Sequence, residues 1–258
     1  ARRVDKTAMF EVLHWASEEF SKALHSAAGL ESRAYLAGRG LSEAMVQLFR
    51  LGHAPTERDW LTYRAKRAGF SGELLEHSGL LARPEDPAAP LRERFRGRLM
   101  FPIHDFTGRV VGFGGRILPG RAEQLQAAGR GVAKYVNSPE TVLFQKRRLL
   151  YGAHLARAAA REAGWVAVME GYTDVIAARQ VGVANVVGTL GTAFGDDHVL
   201  ALRRLADQVV LVFDGDEAGQ NAAEKSLEFL LKHDLDARVL VLPIGQDPCD
   251  FLLSKGAG

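Results

Sequence analysis

Two short apolar runs, each ending in a carboxylate, constrain the fold of this 258-residue chain more than any other feature. The first, Val166-Ala167-Val168-Met169, delivers Glu170 and runs into Gly171-Tyr172-Thr173-Asp174, where a helical pattern starts. The second, Val209-Val210-Leu211-Val212-Phe213, delivers Asp214-Gly215-Asp216, and Glu217-Ala218-Gly219-Gln220 opens another helix. Apolar runs of about 4–8 residues that alternate with helical segments read as buried parallel strands in βαβ units. Ligands of such sheets bind beyond the carboxyl ends of the strands. Glu170, Asp214 and Asp216 are therefore expected to face one crevice.

That grouping points to a cation. Two carboxylates about 4 Å apart repel by roughly 4 kcal/mol at an effective dielectric near 20. A third forces protons back on unless positive charge offsets the cluster. Oxygen donors without His or Cys suit Mg²⁺ or Mn²⁺. The competing reading is that Asp214 and Asp216 cap a helix and shape a turn. Glu170 at a second strand end weighs against it. Asp174, in the first turn of its helix, is either a ligand or a partner of the helix dipole.

Charge is distributed unevenly. Lys and Arg number 33 and Asp and Glu 31, for a net charge of +2. Residues 1–91 balance, residues 92–148 carry 12 basic against 4 acidic side chains, and residues 151–258 carry 9 against 15. A basic middle beside an acidic end fits a phosphate track leading to a metal site, although charge runs also form plain solvated faces. No apolar run reaches the ~18 residues of a membrane helix, and no signal peptide opens the chain. The one cysteine, Cys249, excludes an internal disulfide and a multi-cysteine zinc site, so no zinc is expected here. Together these favour a cytoplasmic protein without membrane contact. Ala1 in place of a starting Met suggests a fragment.

Residues 4–80 read as helical. Phe10, Leu13, Ser17, Phe20 and Leu24 recur at helical spacing. Ser42 is placed to cap a helix, and Thr56 with Asp59 resembles a capping box before Trp60. Trp15, Trp60 and Tyr63 read as core or interface rather than base-stacking residues, and His14, His25, His53 and His77 show no metal-ligand spacing. Residues 83–90 hold three prolines and read as a loop. Arg92, Arg94, Arg96 and Arg98 alternate, so an extended strand would carry them on one face. Leu99–Ile103 and Val110–Phe113 flank a turn at Asp105-Phe106-Thr107-Gly108, a hairpin pattern. Gly112, Gly114 and Gly115 are expected to permit close approach of a backbone or phosphate. With Ile117 in place of the last glycine they do not complete a dinucleotide fingerprint. Residues 119–131 read as a mobile loop.

Past residue 150 the chain alternates again. Tyr151–Ala163 and Thr173–Gln180 read as helices. Val186-Val187 reads as a strand running into Gly188-Thr189-Leu190-Gly191-Thr192, which makes either room for a phosphate or a tight strand-to-helix turn. Helices over Gly195–Leu205 and Glu217–Lys232 and a strand over Arg238–Leu242 follow. That strand leads to Asp247-Pro248-Cys249-Asp250, at a third strand end. Asp247 is a candidate ligand, Asp250 a candidate helix N-cap, and Cys249 reads as a buried small residue rather than a thiolate ligand.

Glu170-Gly171-Tyr172-Thr173-Asp174-Val175-Ile176, followed by Phe213-Asp214-Gly215-Asp216-Glu217-Ala218-Gly219, resembles the Toprim domain, and more narrowly the catalytic core of bacterial DnaG-type primases. Upstream, Arg94-Phe95-Arg96-Gly97-Arg98-Leu99-Met100-Phe101-Pro102-Ile103, Gly112-Phe113-Gly114-Gly115-Arg116, Lys134-Tyr135-Val136-Asn137-Ser138-Pro139-Glu140-Thr141 and Phe144–Gly152 resemble the same family in order and spacing. The resemblance covers nearly the whole chain from Arg94 onward. It departs where many primases have Asp-Pro-Asp, since Cys249 replaces the second acid.

The resemblance implies an α/β fold, with a helical and mixed α/β N-terminal platform over residues 1–150 followed by a Toprim, Rossmann-like parallel sheet flanked by helices over 151–258. It implies DNA-templated synthesis of RNA primers, with Glu170, Asp214 and Asp216 catalytic and holding Mg²⁺ or Mn²⁺ together with Asp247 and Asp174. Arg94, Arg96, Arg98, Arg116, Lys134, Tyr135, Asn137, Ser138 and Lys146 match the family's basic ridge, which contacts nucleic acid and nucleotide. The implied partners are a single-stranded DNA template and ribonucleoside triphosphates, and the chain is expected to be a monomer. A replicative helicase is expected to bind only through a domain this chain lacks. Three rivals compete. One is another Toprim nuclease or topoisomerase, the latter requiring a nucleophilic tyrosine that nothing here marks. Another is a non-catalytic single-strand DNA-binding module. The third, a fused helicase-primase, lacks its G-x-x-x-x-G-K-[ST] loop.

Overall fold

A computed structural model of the chain describes residues 5–86, 88–191, 195–215, 217–233 and 235–255, so Asp216 and Thr192 lie outside the described residues. It divides into two compact units, one of Ala1–Gly38, Val46–Ile103 and Arg109–Phe144, the other of Arg39–Met45, His104–Gly108 and Gln145–Gly258.

The first unit opens with α1 (Lys6–His25), whose first turn is capped by the Asp5 carboxylate accepting from the backbone N–H groups of Thr7 and Ala8. Of its predicted stripe Leu13, Ser17, Phe20 and Leu24 are buried and Phe10 is half-buried, and Met9, Val12 and Ala16 join the inward face. The helices α2 (Leu30–Gly38), α3 (Glu43–Leu48, directly after Ser42), α4 (Trp60–Arg67) and α5 (Gly72–His77) follow. Strands β1 (Gly52–Ala54), β4 (Arg98–His104), β5 (Val110–Ile117) and β6 (Tyr135–Asn137) form one sheet in the order β1-β4-β5-β6, and β2 (Leu81–Ala82) pairs antiparallel with β3 (Arg92–Glu93). Phe20 meets Phe113 edge-on at 5.3 Å and stacks on Trp60 at 6.1 Å, and Trp15 packs on Phe70 at 5.2 Å. Burial of each such ring contributes about 2–3 kcal/mol. Tyr63, by contrast, is 65% exposed and belongs to no core.

Four local expectations are corrected here. The alternating arginines do not share one strand face, because the chain is strand only at Arg92–Glu93 and again from Arg98, with Gly97 at φ +59° turning it between. Thr56 and Asp59 make no capping box. Asp59 is left-handed at φ 58° with no side-chain cap bond, and Glu93 instead accepts from the Thr62 N–H and hydroxyl at the start of α4. The stretch after Leu118 contains a helix, α6 (Pro119–Ala127). Proline suits the first helical turn, where no N–H partner is needed, and the alanines and glutamines behind it favour helix. Finally, Gly112 and Gly115 make room for the protein's own rings. A Cβ on Gly112 would lie 2.6 Å from Phe144, and one on Gly115 would lie 2.9 Å from Phe95. The space a phosphate was expected to use is filled by core.

The second unit carries α7 (Ala153–Ala163), β7 (Trp165–Met169), α8 (Tyr172–Gln180), β8 (Val186–Gly188), α9 (Asp196–Arg203), β9 (Gln208–Phe213), α10 (Glu217–Lys232), β10 (Asp236–Val241) and α11 (Pro248–Lys255). Its four strands are parallel in the order β10-β9-β7-β8. Val166, Val168, Val187, Val209, Leu211 and Phe213 form the buried centre, against which Ala153, Ala156 and Ala160 lay a flat helix face. The chain leaves β7, adds β8 on one side, and returns to add β9 on the other. Strand order thus reverses between β7 and β9, the point at which open α/β sheets part their connections and bind ligands. Among the described residues no helix is long and apolar enough to cross a membrane.

Candidate metal centre and basic segment

The acidic candidates arrive on three strand ends of the second unit. Glu170 follows β7 and is exposed, Asp214 follows the neighbouring β9 and is half-buried, and Asp247 follows the edge strand β10. Asp174, on the first turn of α8, is 9% exposed. Its Oδ2 accepts the Gly171 N–H at 3.0 Å, which folds the carboxylate back over the turn. A Cβ on Gly171 would sit 2.3 Å from that oxygen, so a side chain there would push the Asp174 carboxylate aside.

Asp174, Asp247 and Cys249 converge: one ligand atom from each lies within 4.8 Å of the others. Two carboxylates at such a separation repel by about 3 kcal/mol at an effective dielectric near 20. Burial, then the charge of Asp247, then that of Asp214, push the Asp174 carboxyl up from 3.8 to about 6, against the opposing pull of the Gly171 N–H and Arg39. Asp174 thus closes the α8 turn and also stands among the acids. The Cys249 thiol is fully buried and pushed up to about 11, first by burial, so it is the small buried residue the sequence suggested.

Asp247, not Asp250, caps α11. Its Oδ1 accepts the Asp250 N–H at 2.8 Å, and Pro248 occupies the first helical position. Arg39, which local pattern did not single out, reaches Asp247 Oδ2 at 3.4 Å and Asp250 Oδ1 at 3.1 Å. No short-range spacing signals that contact, since 208 positions separate Arg39 from Asp247. Gly215 fixes the approach of the β9 and β10 exits, because a Cβ there would lie 2.1 Å from the Pro243 carbonyl oxygen. Carboxylate oxygens converging at a switch point fit a hard divalent cation.

The basic candidates meet a different fate in the first unit. Arg98 is buried and donates to the carbonyls of Gly115, Ala133 and Lys134 at 3.0, 3.1 and 3.4 Å. Arg116 lies between Tyr35 and Tyr135, 4.8 and 5.2 Å from their ring centres, and donates to the Tyr135 hydroxyl at 2.6 Å. Burial lowers the pKa of Arg94 as it does that of Arg98. Ser138 is buried, its hydroxyl accepting the Phe113 N–H at 3.0 Å, while Asn137 pairs with Gly114 in the sheet. Lys134 and Arg96 are exposed, Arg96 donating to the Thr56 carbonyl. Lys146, in the second unit, is half-exposed on a short 3₁₀ turn. At Gly188 the backbone is taken up by the fold: Tyr151 pairs with it in both directions, and a Cβ would meet Val175 at 3.0 Å.

Comparison with known proteins fits this geometry. The family model described as DNA primase catalytic core, N-terminal domain, matches residues 19–157, and a Toprim-like model matches residues 167–252. The DNA primase of Streptomyces coelicolor is 40% identical over 247 residues, covering 94% of this chain and 36% of that protein. This chain therefore spans little more than a third of that relative. The RNA polymerase domain of Mycobacterium tuberculosis primase DnaG superposes with a TM-score of 0.87 at 36% identity, covering 98% of this chain and 81% of that one. A DnaG primase catalytic domain bound to single-stranded DNA superposes with a TM-score of 0.82 at 35% identity, covering 97% and 78%. With its N-terminal part and its parallel-sheet part each matched by a family model, and with a DnaG domain superposing over nearly its whole length, this chain belongs to the DnaG-type DNA primase catalytic core family.

Proposed function

We propose that this chain is a nucleotidyl-transfer core that joins ribonucleotides on a single-stranded DNA template to make primers for replication. The reading is carried by one observation: Asp174 and Asp247 converge beyond the carboxyl ends of the strands, within reach of the Asp214 charge, in a chain of this family. Glu170, Asp214 and Asp216, with Asp174 and Asp247, are assigned to Mg²⁺ or Mn²⁺. Held by these carboxylates, such an ion would supply activation of a 3′-hydroxyl and neutralisation of triphosphate charge. The chain's own task is positioning. Asp174 is fixed by the Gly171 N–H, and Asp247 is oriented by the α11 turn and by Arg39. Phosphoryl transfer of this kind needs no side-chain nucleophile.

Residues 1–150 are assigned to template and nucleotide handling and 151–258 to the metal centre. Lys134, Arg96, Lys146 and the Arg116–Tyr135 pair serve phosphates and bases directly. Arg94, Arg98, Asn137 and Ser138 act from beneath, by holding the backbone that presents them. The relative bound to single-stranded DNA supports this use of the basic segment. Primer synthesis from ribonucleotides on single-stranded DNA, with Mg²⁺ or Mn²⁺, tests the proposal. Native protein is expected to extend and Glu170→Gln to bind DNA without extending. DNA binding with no incorporation by native protein, even from a pre-annealed primer, would instead favour a binding module with a structural cation.

A further inference from the structure

The exposed ring of Tyr63 stands on a basic face of α4. Leu61 and Ala65 are buried on the opposite side of this helix, and Arg64 is engaged by Glu19 at 2.8 Å and by the Trp60 ring. Lys66 and Arg67 are exposed, and the Arg67 guanidinium lies 6.0 Å from the centre of the Tyr63 ring. Asp59, Tyr63 and Arg67 follow one another at four-residue spacing, so they form one row along the helix. Where that row begins, a cleft of about 280 Å³ is lined by Arg58, Asp59, Leu91, Arg92, Glu93 and Arg96. Three guanidinium groups therefore share one opening with two carboxylates. Of these, Glu93 already accepts from the Thr62 N–H and hydroxyl, and Asp59 has Arg58 at 3.5 Å. All of these residues belong to the first unit.

An exposed ring, a guanidinium beside it and a cation-lined cleft one helical turn away are the parts of a single-strand site, in which stacking holds a base and cations hold phosphates. The cleft is smaller than the ~300 Å³ at which pockets for whole drug-sized ligands begin, so it suits one group of a longer ligand. Duplex bases are already stacked on one another, so a lone ring selects an unpaired strand. We infer that this face of α4 is a further binding surface for single-stranded DNA. Tyr63 stacks on an unpaired base, Lys66 and Arg67 flank the adjoining backbone, and Arg58 and Arg92 join Arg96 on a phosphate in the cleft. The inference rests on the template-directed reading above, and adds to it five side chains that the basic segment does not include.

Native protein, Tyr63→Ala, Tyr63→Phe and the double variant Arg58→Gln/Arg92→Gln would be titrated with a labelled single-stranded oligonucleotide and with its duplex, by fluorescence anisotropy at several salt concentrations. Binding of ribonucleoside triphosphates would be measured in parallel. The three positions are exposed, and circular dichroism reports the folding of each variant. Tyr63→Ala is expected to weaken single-strand binding about fivefold or more and to leave duplex binding unchanged, while Tyr63→Phe, which keeps the ring, binds as native. The double variant should lower the slope of log affinity against log salt by about 0.7, the share of one phosphate contact. A strand carrying 5-bromodeoxyuridine should crosslink under ultraviolet light to the tryptic peptide Asp59–Arg64 of native protein, at Tyr63. Equal single-strand affinity of native protein and Tyr63→Ala, with no crosslink in that peptide, would overturn the inference and leave the template-directed reading standing. A double variant that loses triphosphate binding but keeps its DNA affinity and salt slope would make the cleft a nucleotide site and overturn the inference too. Native protein that binds no single-stranded DNA would sink both readings.

Discussion

The carboxyl edge of the parallel sheet and the arginine-rich hairpin region treat charge in opposite ways. Around β4–β6 a cation is spent internally: Arg98 is consumed by three backbone carbonyls. Beyond the strand ends of the second unit Asp174 and Asp247 are brought together, and burial and the charges of Asp247 and Asp214 raise the Asp174 carboxyl to about 6. A satisfied charge is scaffolding, while a crowded one keeps a standing demand for an outside partner. This contrast, more than net charge, separates structural from functional residues here.

The sharpest way to break the comparison is Glu170→Gln. It removes one exposed charge from a strand end, and incorporation is expected to fall by about 100-fold or more, in line with the loss of one transition-state electrostatic contact. Circular dichroism and DNA affinity should stay close to native. Retained incorporation would remove Glu170 from the centre.

Arg98→Ala tests the other side. It strips partners from buried carbonyls and should cost about 2–4 kcal/mol in denaturant unfolding, with Arg98→Lys recovering only part. A loss confined to DNA affinity, with unchanged stability, would return Arg98 to the nucleic-acid surface.

Asp174→Asn probes the stored repulsion. The folded pKa of about 6 lies above the ordinary 3.8. Between these values the native state keeps a proton that the unfolded chain has released. Stability from this group is therefore full below about pH 4, falls as pH rises, and is lost above about pH 6. In metal-free buffer at pH 7.5 the variant should unfold roughly 1–3 kcal/mol later than native, with no advantage at pH 3.5. Mn²⁺ should raise the native melting temperature more than the variant's. Identical pH profiles would mean that the carboxylates are not crowded in solution.

The smallest expected effect is that of Lys134→Ala, an exposed cation. Affinity for single-stranded DNA should drop a few-fold and the salt slope should shrink by about 0.7. An unchanged slope would exclude a phosphate contact.

What the sequence disclosed follows the range of the interactions involved. The strands at Val166 and Val209 were legible because parallel burial leaves continuous apolar runs, and their acids were legible because they stop those runs. The α1 stripe was equally plain. The fate of Arg98, the rings filling the spaces beside Gly112 and Gly115, and the Arg39–Asp247 pair were not legible, since each depends on residues distant in the chain. The α6 helix was missed for another reason. Its flanking Pro119-Gly120 resembles a turn, and with no buried residue it leaves no apolar stripe to read. Asp250 was misplaced by three positions because Pro248 sets the start of α11 one residue after Asp247.

The reversal of strand order between β7 and β9 also bears on synthesis of the chain. Glu170 and Asp247 stand 77 positions apart, and at about 5–20 residues per second roughly 4–15 s separate their emergence from the ribosome. No local hairpin or single helix can gather these acids beforehand, because parallel strands meet only after their crossovers close. A half-made chain therefore presents scattered acids with little chelating strength. Cation uptake would mark the end of folding, and a pulse of metal during refolding would act as a clock for the last strand to dock.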